Sequence, residues 1–364
     1  MSEERNNNAN ARERLCDAQR IVVKLGTHVV THDGREFALG RVFALVEALA
    51  RLRRSGKDVV IVSSGAVGLG RRVLRLDRSK LSLGLRQACA AAGQGRLISL
   101  YTQAFGQLEV EVAQVLLTAD DLADPDRALC LRTTLLRLLE LEAVPILNEN
   151  DSVSTRELVE LRAAESGEQP GQPVFGDNDG LSARVAVALD ADLLLLLTDV
   201  DGLYTANPRT DPSARRIPVL EGIDDAALAR AVGGSAGGTG GMRSKLEAAR
   251  LASEGGVDVL IVDGHSDRLI ERALAGDDIG TFVPSSERRR GRRRRIAFAR
   301  SEGALILNDG AIAALLGRKA SLLPIGVIGV EGTFGVGSVI ELRDHTGRAR
   351  GRGLVNYDSE ACRK

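Results

Sequence analysis

The chain has 364 residues, which exceeds the usual size of one domain and makes two domains the default expectation. Its hydrophobic content of 44% is enough for a packed core, and its formal net charge of zero argues against a uniformly basic nucleic-acid binder. Four scattered cysteines form no CxxC pair and support neither a zinc site nor a disulfide framework, so we expect free thiols in a reducing, cytoplasmic compartment. Residues 1–20 are polar and charged without an apolar run, and we expect a disordered tail rather than a signal peptide or membrane anchor.

The first two predicted strands each deliver polar groups to one edge of a sheet. Ile21–Val23 is a β-branched run followed by Lys24 and Gly26, which would place a cation where ligands of open α/β sheets bind. The alternative is a strand-end lysine that reaches solvent. Val59–Val62 runs into Ser63–Ala66, whose hydroxyls and backbone N–H groups could hold a carboxylate or a phosphate. A plain strand-to-helix turn with a serine cap is the alternative there.

Three segments have helical apolar spacing between these strands and the next ones. We predict a helix over Phe37–Ser55, which ends at Gly56, and another over residues 127–142. Residues 81–104 are rich in Ala and Gln and predict a helix interrupted near Gly93 and Gly95.

A dense polar cluster follows the next predicted strand, Ala143–Leu147. It consists of Asn148–Asp151 and has more polar residues than a simple Asx turn requires, although such a turn is the alternative. Residues 154–174 contain prolines and glycine and predict a mobile excursion. Residues 176–180 (GDNDG) then precede a helical run, with more acceptors than one helix cap uses.

Leu193–Leu197 is the most hydrophobic predicted strand and fits the centre of a parallel sheet. It ends at Thr198 and Asp199. Further on, Gly233–Lys245 reads GGSAGGTGGMRSK, with six glycines before a lysine and a predicted helix. Glycines let backbone N–H groups approach an anion, and a helix start adds partial positive charge, so this stretch predicts a phosphate site. A flexible surface loop is the alternative.

Strands and helices alternate from Ile21 to Val262, which predicts a doubly wound, mainly parallel open α/β sheet. Every polar cluster named above follows a strand, so we expect one composite site at the carboxyl edge. Residues 286–295 form an arginine-rich linker between a first domain, 21–285, and a second, 296–364. Residues 322–330 and 337–342 predict short strands of a small barrel in that second domain.

The chain contains neither a Walker A string nor a G-x-G-x-x-G fingerprint. Phosphoryl transfer depends on positioning the reactants and neutralising charge more than on covalent catalysis. It is therefore suited to a site with two lysines beside glycine loops and with carboxylates and amides at strand ends.

Six blocks in order resemble the glutamate 5-kinases of the amino-acid kinase family. They are VVKLGT (22–27), IVSSGA (61–66), NENDSV (148–153), GDND (176–179), LLLTDVDGLYTANPR (195–209) and GTGGMRSK (238–245). The resemblance implies the amino-acid kinase fold, ATP and Mg²⁺ as cofactors, and phosphorylation of the L-glutamate side-chain carboxylate as the first step toward proline. It also implies feedback inhibition by proline and a homodimer or homotetramer.

The same resemblance assigns roles by position. The catalytic residues would be Lys24, Lys245 and Asp179, with Asp179 holding the lysines. The residues implied to bind glutamate are Ser64, Gly65, Asp151, Asp177 and Asn178. Those implied to bind ATP are Lys24, Gly26, Thr198, Asp199, Thr239, Gly240, Gly241, Met242, Arg243, Ser244 and Lys245. No dedicated protein metal site is implied.

Residues 317–324 (GRKASLLP) resemble a PUA domain, a class that binds RNA in other proteins. The sequence departs from the family at three places. The excursion after Asp151 is longer than usual, and Gly180 stands where the family often has asparagine. We also expect the final strand of the PUA domain to be missing or replaced. Two hypotheses follow: a metabolic kinase with a structural or regulatory appendage, or an RNA-binding protein whose kinase fold is inactive.

Overall fold

The computed structural model describes residues 12–32, 34, 36–76, 81–153, 178–208, 210–230, 241–285, 301–317, 322, 324–336, 338–355 and 357–363. The chain divides into two compact units, residues 1–288 and 289–364. The predicted excursion 154–174, the linker 286–295 and residues 233–240 of the glycine-rich stretch lie outside the described residues. In the described part, none of the helices combines the length and the apolar character needed to cross a membrane.

The first unit is built on a seven-stranded sheet. In chain order, the strands of its described part are β1 (Arg20–Leu25), β2 (Thr31–His32), β3 (Glu36–Phe37), β4 (Asp58–Ser63), β5 (Val112–Leu117), β6 (Val144–Glu149), β7 (Leu193–Thr198), β8 (Asp258–Asp263) and β9 (Thr281–Val283). The large sheet has the order β5-β6-β4-β1-β7-β8-β9, and β2 pairs with β3 separately. All neighbours in the large sheet are parallel except β8 and β9, which are antiparallel. The predicted mainly parallel sheet is confirmed.

Helices connect these strands. Their bounds in the described part of the first unit are Thr27–Val30, Leu39–Arg54, Ala66–Val73, Leu83–Gly106, Ala119–Ala123, Pro125–Glu140, Asn178–Ala188, Asp225–Arg230, Met242–Glu254 and Leu269–Leu274.

The apolar residues of the sheet bury both of its faces. On β7 the odd-numbered leucines, such as Leu195, belong to one core cluster, and the even-numbered Leu194 and Leu196 belong to the other. On β1 the alternation is the same, with Val23 on the first side and Val22 on the second. Because successive side chains of a strand point to opposite faces, two cores mean that the sheet is covered on both sides, as in a doubly wound fold.

The predicted interruption of the helix near Gly93 and Gly95 is wrong. Leu83–Gly106 is one continuous helix that contains both Gly93 and Gly95. A Cβ atom at Gly93 would lie 1.8 Å from the carbonyl oxygen of Ala66, so glycine here permits two helices to approach closely. The cost of glycine inside a helix is therefore offset by tertiary packing, which sequence spacing does not reveal.

The predicted disordered tail, 1–20, is wrong for its described part. Residues 12–16 are helical, and Leu15 and Ala18 are buried in the core. The guanidinium of Arg12, which is 1% exposed, donates to the carbonyl oxygens of Pro218 at 2.7 Å and of Asp277 and Ile279 at 2.8 Å. A charged side chain is tolerated in this buried position because backbone carbonyls accept its hydrogen bonds.

The second unit has its own sheet and core. Its described strands are β10 (Gly303–Leu307), β11 (Val327–Gly332), β12 (Val339–Arg343) and β13 (Ala349–Leu354), in the order β11-β10-β12-β13. Helices Asp309–Gly317 and Ser359–Arg363 accompany them. Leu307, Phe334 and Ile340 lie at the centre of the core. The predicted strand-rich character is confirmed, although β11 starts later than the predicted segment 322–330.

Candidate active site

One buried carboxylate joins two lysines that are 221 positions apart in the sequence, at 24 and 245. Oδ1 of Asp179 lies 2.5 Å from Nζ of Lys24, and Oδ2 lies 3.3 Å from Nζ of Lys245. The hydroxyl of Ser244 donates to the same Oδ2 at 2.9 Å. Two cations and one hydroxyl therefore converge on a single acidic side chain.

The cluster is almost completely removed from solvent. Asp179 is 0% exposed, Lys24 is 6% exposed and Lys245 is 8% exposed. Burial by itself raises the pKa of Asp179, but the charges of Lys24 and Lys245 and hydrogen bonds from Lys24 and Ser244 outweigh it and lower the pKa to about 2. Asp179 is thus an ionised group at neutral pH, and the cluster carries one net positive charge.

The fold explains why these residues meet. Lys24 is the penultimate residue of β1, Asp179 is the second residue of helix Asn178–Ala188, and Lys245 is in the first turn of helix Met242–Glu254. Strand ends of a parallel sheet and the starts of the helices that follow share one edge, which is the ligand-binding edge of this architecture. Gly26 lies beside it and donates its backbone N–H to Leu197 at 3.2 Å, where a Cβ atom would crowd that carbonyl.

A second polar network starts next to Asp179. The Nδ2 atom of Asn178 donates to Oγ of Ser64 and to Oδ1 of Asn148, both at 2.9 Å. Nδ2 of Asn148 in turn donates to Oε1 of Gln94 at 2.7 Å. Oδ1 of Asn178 is buried and accepts no hydrogen bond from the residues that the structure describes. A buried acceptor of this kind calls for a donor, which a water molecule, an ion or a ligand group can supply.

This network ends at a cavity of about 300 Å³. Its lining comes from helix Leu83–Gly106, from the start of helix Ala66–Val73, from β5, and from the end of β6 with the turn that follows. The lining residues are Ala66, Ala90, Ala91, Gln94, Gly95, Gln114, Leu116, Glu149, Asn150, Asp151 and Ser152. The cavity is large enough for a small polar molecule.

A further acidic group lies at the end of β7. The hydroxyl of Thr198 donates to Oδ1 of Asp199 at 3.1 Å. Burial raises the pKa of Asp199, but hydrogen bonds from its own backbone and Thr198 and the charges of His28 and Lys245 lower it overall. Asp199 is therefore an acceptor within electrostatic range of the lysine cluster.

Most residues singled out from the sequence lie at this edge. Lys24, Ser244 and Lys245 each contact Asp179, and Asn178 contacts Ser64. Gly65 precedes helix Ala66–Val73 with a φ of 109°, a conformation that favours glycine, and Asp151 lines the cavity. Gly241 and Met242 begin helix Met242–Glu254.

Other singled-out residues are not brought together. The Arg243 side chain is exposed and pairs with Glu247 at 3.0 Å, one turn along the same helix, rather than with the buried cluster. Asp177, Thr239 and Gly240 lie outside the described residues.

Sequence reasoning missed two polar residues of helix Leu83–Gly106 that reach the strand ends. Gln94 contacts Asn148, and the hydroxyl of Tyr101 lies 2.9 Å from Oγ of Ser63 in the buried interior. Burial raises the pKa of Tyr101, despite the hydrogen bond with Ser63. Their spacing of seven residues puts both on one helix face, which is the signal that could have found them.

The arrangement suits an anion that binds between the two lysine side chains. Ammonium groups stabilise negative charge that develops on a transferring phosphoryl group, and their effect is largest in a site that excludes water. Among the described residues, no group of three or more His, Cys, Asp and Glu side chains could hold a metal ion.

The fold and this site define a phosphotransferase-like α/β domain, and comparison with known proteins identifies its class. Residues 19–263 match the amino acid kinase family, and residues 303–364 match the PUA domain. The chain belongs to the amino acid kinase family. The resemblance seen in the sequence is confirmed, including the C-terminal PUA domain.

Several curated relatives of the chain are named glutamate 5-kinase. That of Gloeobacter violaceus is 45% identical and covers 94% of this chain and 90% of its own length. That of Picosynechococcus sp. is 44% identical, with 95% and 90% coverage, and that of Streptomyces coelicolor is 42% identical, with 97% and 90% coverage. Among solved structures, a UMP kinase from Bacillus anthracis has a TM-score of 0.49 and 17% identity, and covers 74% of this chain and 97% of that one.

Proposed function

We propose that this chain is an ATP-dependent kinase that phosphorylates the side-chain carboxylate of L-glutamate, giving L-glutamyl 5-phosphate and ADP. Family membership and relatives named glutamate 5-kinase support the proposal. The observation that carries it is the buried carboxylate of Asp179 between Lys24 and Lys245, because it fixes two ammonium groups at one ligand-binding edge.

In this proposal the reaction needs no general base. The substrate carboxylate is already ionised at neutral pH, and one of its oxygens attacks the γ-phosphorus in line. A bond forms between that oxygen and phosphorus, and the bond from phosphorus to the β,γ-bridging oxygen breaks, so that ADP leaves with the electron pair. Lys24 and Lys245 neutralise charge on the moving group. Asp179, whose pKa is lowered to about 2, orients the lysines and neither donates nor accepts a proton.

We assign the nucleotide to the side of the cluster formed by the end of β7 and the start of helix Met242–Glu254. Thr198, Asp199 and Gly241–Lys245 would bind it, with backbone N–H groups at the helix start suited to phosphate. Mg²⁺ would be held by the nucleotide phosphates rather than by a protein cage, and when bound it supplies further charge neutralisation. The sequence-based roles of Thr239 and Gly240 stay predictions.

The amino-acid side of the site would be the network around Asn178 and the adjoining cavity. Asp151 is the proposed partner of the α-ammonium group, and the buried Oδ1 of Asn178 is an acceptor that a substrate N–H could satisfy. Ser64 and Gly65 would complete this side at the end of β4.

A coupled assay of ADP release with Mg-ATP tests the proposal, with L-glutamate, L-aspartate and N-acetyl-L-glutamate compared side by side. We expect turnover with L-glutamate at a kcat/KM at least about tenfold above the other two, because L-aspartate is one methylene shorter and N-acetyl-L-glutamate lacks the α-ammonium group that Asp151 would bind. Absence of turnover with L-glutamate would contradict the proposal, and preference for N-acetyl-L-glutamate would reassign the substrate.

The proposal extends to a role in the first step of proline formation in the cytoplasm, with L-proline as a feedback inhibitor that competes with glutamate. It also includes a homodimer or homotetramer. Inhibition kinetics with L-proline at several glutamate concentrations test the first part, and sedimentation equilibrium tests the second.

The PUA match favours RNA as a second ligand class for residues 303–364. The alternative hypothesis is an RNA-binding protein whose kinase domain is inactive. The contacts of Lys24 and Lys245 with Asp179 argue against it, because an inactive domain has no need to keep this cluster. Filter binding to structured RNA at moderate salt tests this alternative, because phosphate contacts weaken steeply as salt rises.

A further inference from the structure

The cavity beside β6 is connected to the lysine cluster by a continuous series of amide side chains. Asn178 is the residue before Asp179, and it donates to Asn148, which donates to Gln94 at 2.7 Å. Gln94 also lines the cavity, together with Asp151. If the acceptor carboxylate of a substrate lies near Asn178 and the lysines, the other end of that substrate extends into the cavity.

The charges of the cavity lining restrict how that other end can be recognised. Glu149 and Asp151 contribute carboxylates, which suit an α-ammonium group. None of the cavity-lining residues that the structure describes is Lys or Arg. The donors that the described lining offers to a ligand α-carboxylate are therefore neutral, namely side-chain amides, hydroxyls and backbone N–H groups.

Among the neutral side chains of the lining, Gln94 is the one that also belongs to the series of amides leading to Asn178. Its Oε1 atom accepts a hydrogen bond from Asn148, so the opposite end of the same carboxamide is an NH₂ group with two donors. The hydroxyl of Ser152 donates instead to Asn150 at 2.6 Å. Gln114 lies on β5, the edge strand of the sheet, where its side chain is exposed.

We propose that Gln94 is a specificity-determining residue that donates its side-chain NH₂ to the α-carboxylate of the amino-acid substrate. The inference rests on the proposed function, and it adds a residue that selects an α-amino acid with a free α-carboxylate. Asn148 holds the carboxamide of Gln94 in the orientation that presents NH₂ to the cavity.

Gln94→Glu tests the contact with almost no change in shape. The introduced carboxylate still accepts from Asn148, but it replaces the donor NH₂ by an oxygen that repels a substrate carboxylate. We expect the KM for L-glutamate to rise about 10- to 100-fold, because hydrogen bonds to charged groups are among the stronger ones. The KM for ATP should stay within about twofold, since the lysine cluster is unchanged.

A matched substrate makes the test sharper. L-isoglutamine keeps the side-chain carboxylate that would be phosphorylated but carries an amide at the α-position. The preference of the wild type for L-glutamate over L-isoglutamine should fall at least tenfold in Gln94→Glu, because the new carboxylate can accept from the substrate amide. Gln114→Glu is the control, since it adds the same charge to the lining of the same cavity outside the amide series.

Four outcomes would overturn the inference. Gln94→Glu could match the wild type while Gln94→Leu is impaired, which would mean that Gln94 acts only by supporting Asn148. Gln114→Glu could reproduce the whole effect, which would mean that charge in the cavity and not a contact is responsible. A wild type that is inactive with L-glutamate would remove the proposed function and this inference together, whereas an active wild type with an unaffected Gln94→Glu variant removes the inference alone.

Discussion

The ammonium group of Lys245 lies 3.3 Å from the Oδ2 atom of Asp179, a carboxylate with no exposed surface. The same carboxylate binds Lys24 through its other oxygen. The two lysines are therefore held at fixed positions before any nucleotide binds, and little reorganisation is needed when negative charge develops between them.

Lys245→Met should remove one of the two charges while retaining most of the buried volume. We expect kcat to fall about 100- to 1,000-fold, because a preorganised electrostatic contact to the transition state is lost. The measurement is steady-state ADP release with L-glutamate, and Arg250→Met, an exposed position on the same helix, is the control. A kcat close to that of the wild type would contradict the proposed role of Lys245.

Asp179→Asn should change the pH dependence of folding stability. The pKa of Asp179 is lowered from 3.8 to about 2 in the folded chain, so the unfolded chain binds more protons between these values. The stabilisation is fully present above about pH 5 and is lost as the pH falls toward 2.

The difference in the free energy of unfolding between wild type and Asp179→Asn should therefore shrink by about 2 kcal/mol between pH 5 and pH 2. Urea denaturation of both proteins across this range measures it. Parallel stability curves for the two proteins would show that the ion pairs do not stabilise the fold.

Asp151→Asn should impair amino-acid binding more than nucleotide binding. The proposed partner of its carboxylate is the α-ammonium of L-glutamate, and loss of that charged contact should raise the KM for L-glutamate about 10- to 100-fold. The KM for ATP should change less than about twofold, because Asp151 lines the cavity and not the lysine cluster. Equal effects on both constants in initial-rate kinetics would reassign Asp151.

Two glycines of one helix should respond in opposite ways to substitution by alanine. At Gly93 a Cβ atom would lie 1.8 Å from the carbonyl oxygen of Ala66, so Gly93→Ala should destabilise the protein by about 3 kcal/mol. At Gly95 a Cβ atom meets nothing within 4 Å, and Gly95→Ala should stabilise the helix by about 0.5–1 kcal/mol. Thermal and urea unfolding measure both, and a similar effect of the two changes would contradict the close helix contact.

The large sheet was predictable from sequence because its strands are short, continuous apolar runs. All six residues of β7 are buried, and the runs of β1 and β4 alternate with helical spacing in between. The edge strand β9 and the β2–β3 hairpin were missed, since three and two residues give too short a pattern. The sequence predicted that the polar groups gather at one edge, because each of them follows a strand. The pairing of Asp179 with both lysines was predicted from family resemblance alone.

The parts that could not be predicted depend on contacts between distant segments. Gly93 contacts a helix more than twenty positions earlier in the sequence, and Arg12 contacts carbonyls more than two hundred positions later. Gln94 occupies the interior of a helix, where a glutamine ordinarily faces solvent. Local propensity contains no information about such partners.

The position of Arg12 has a consequence for how the chain folds during its synthesis. Its hydrogen-bond acceptors include the carbonyls of Pro218 and Ile279, so these contacts of the helix at residues 12–16 cannot form until most of the unit has left the ribosome. The seven-stranded sheet likewise waits for β8 and β9, the last two of its strands in chain order. Proteolytic sensitivity of the amino-terminal helix in stalled nascent chains should persist until residue 279 is exposed outside the exit tunnel.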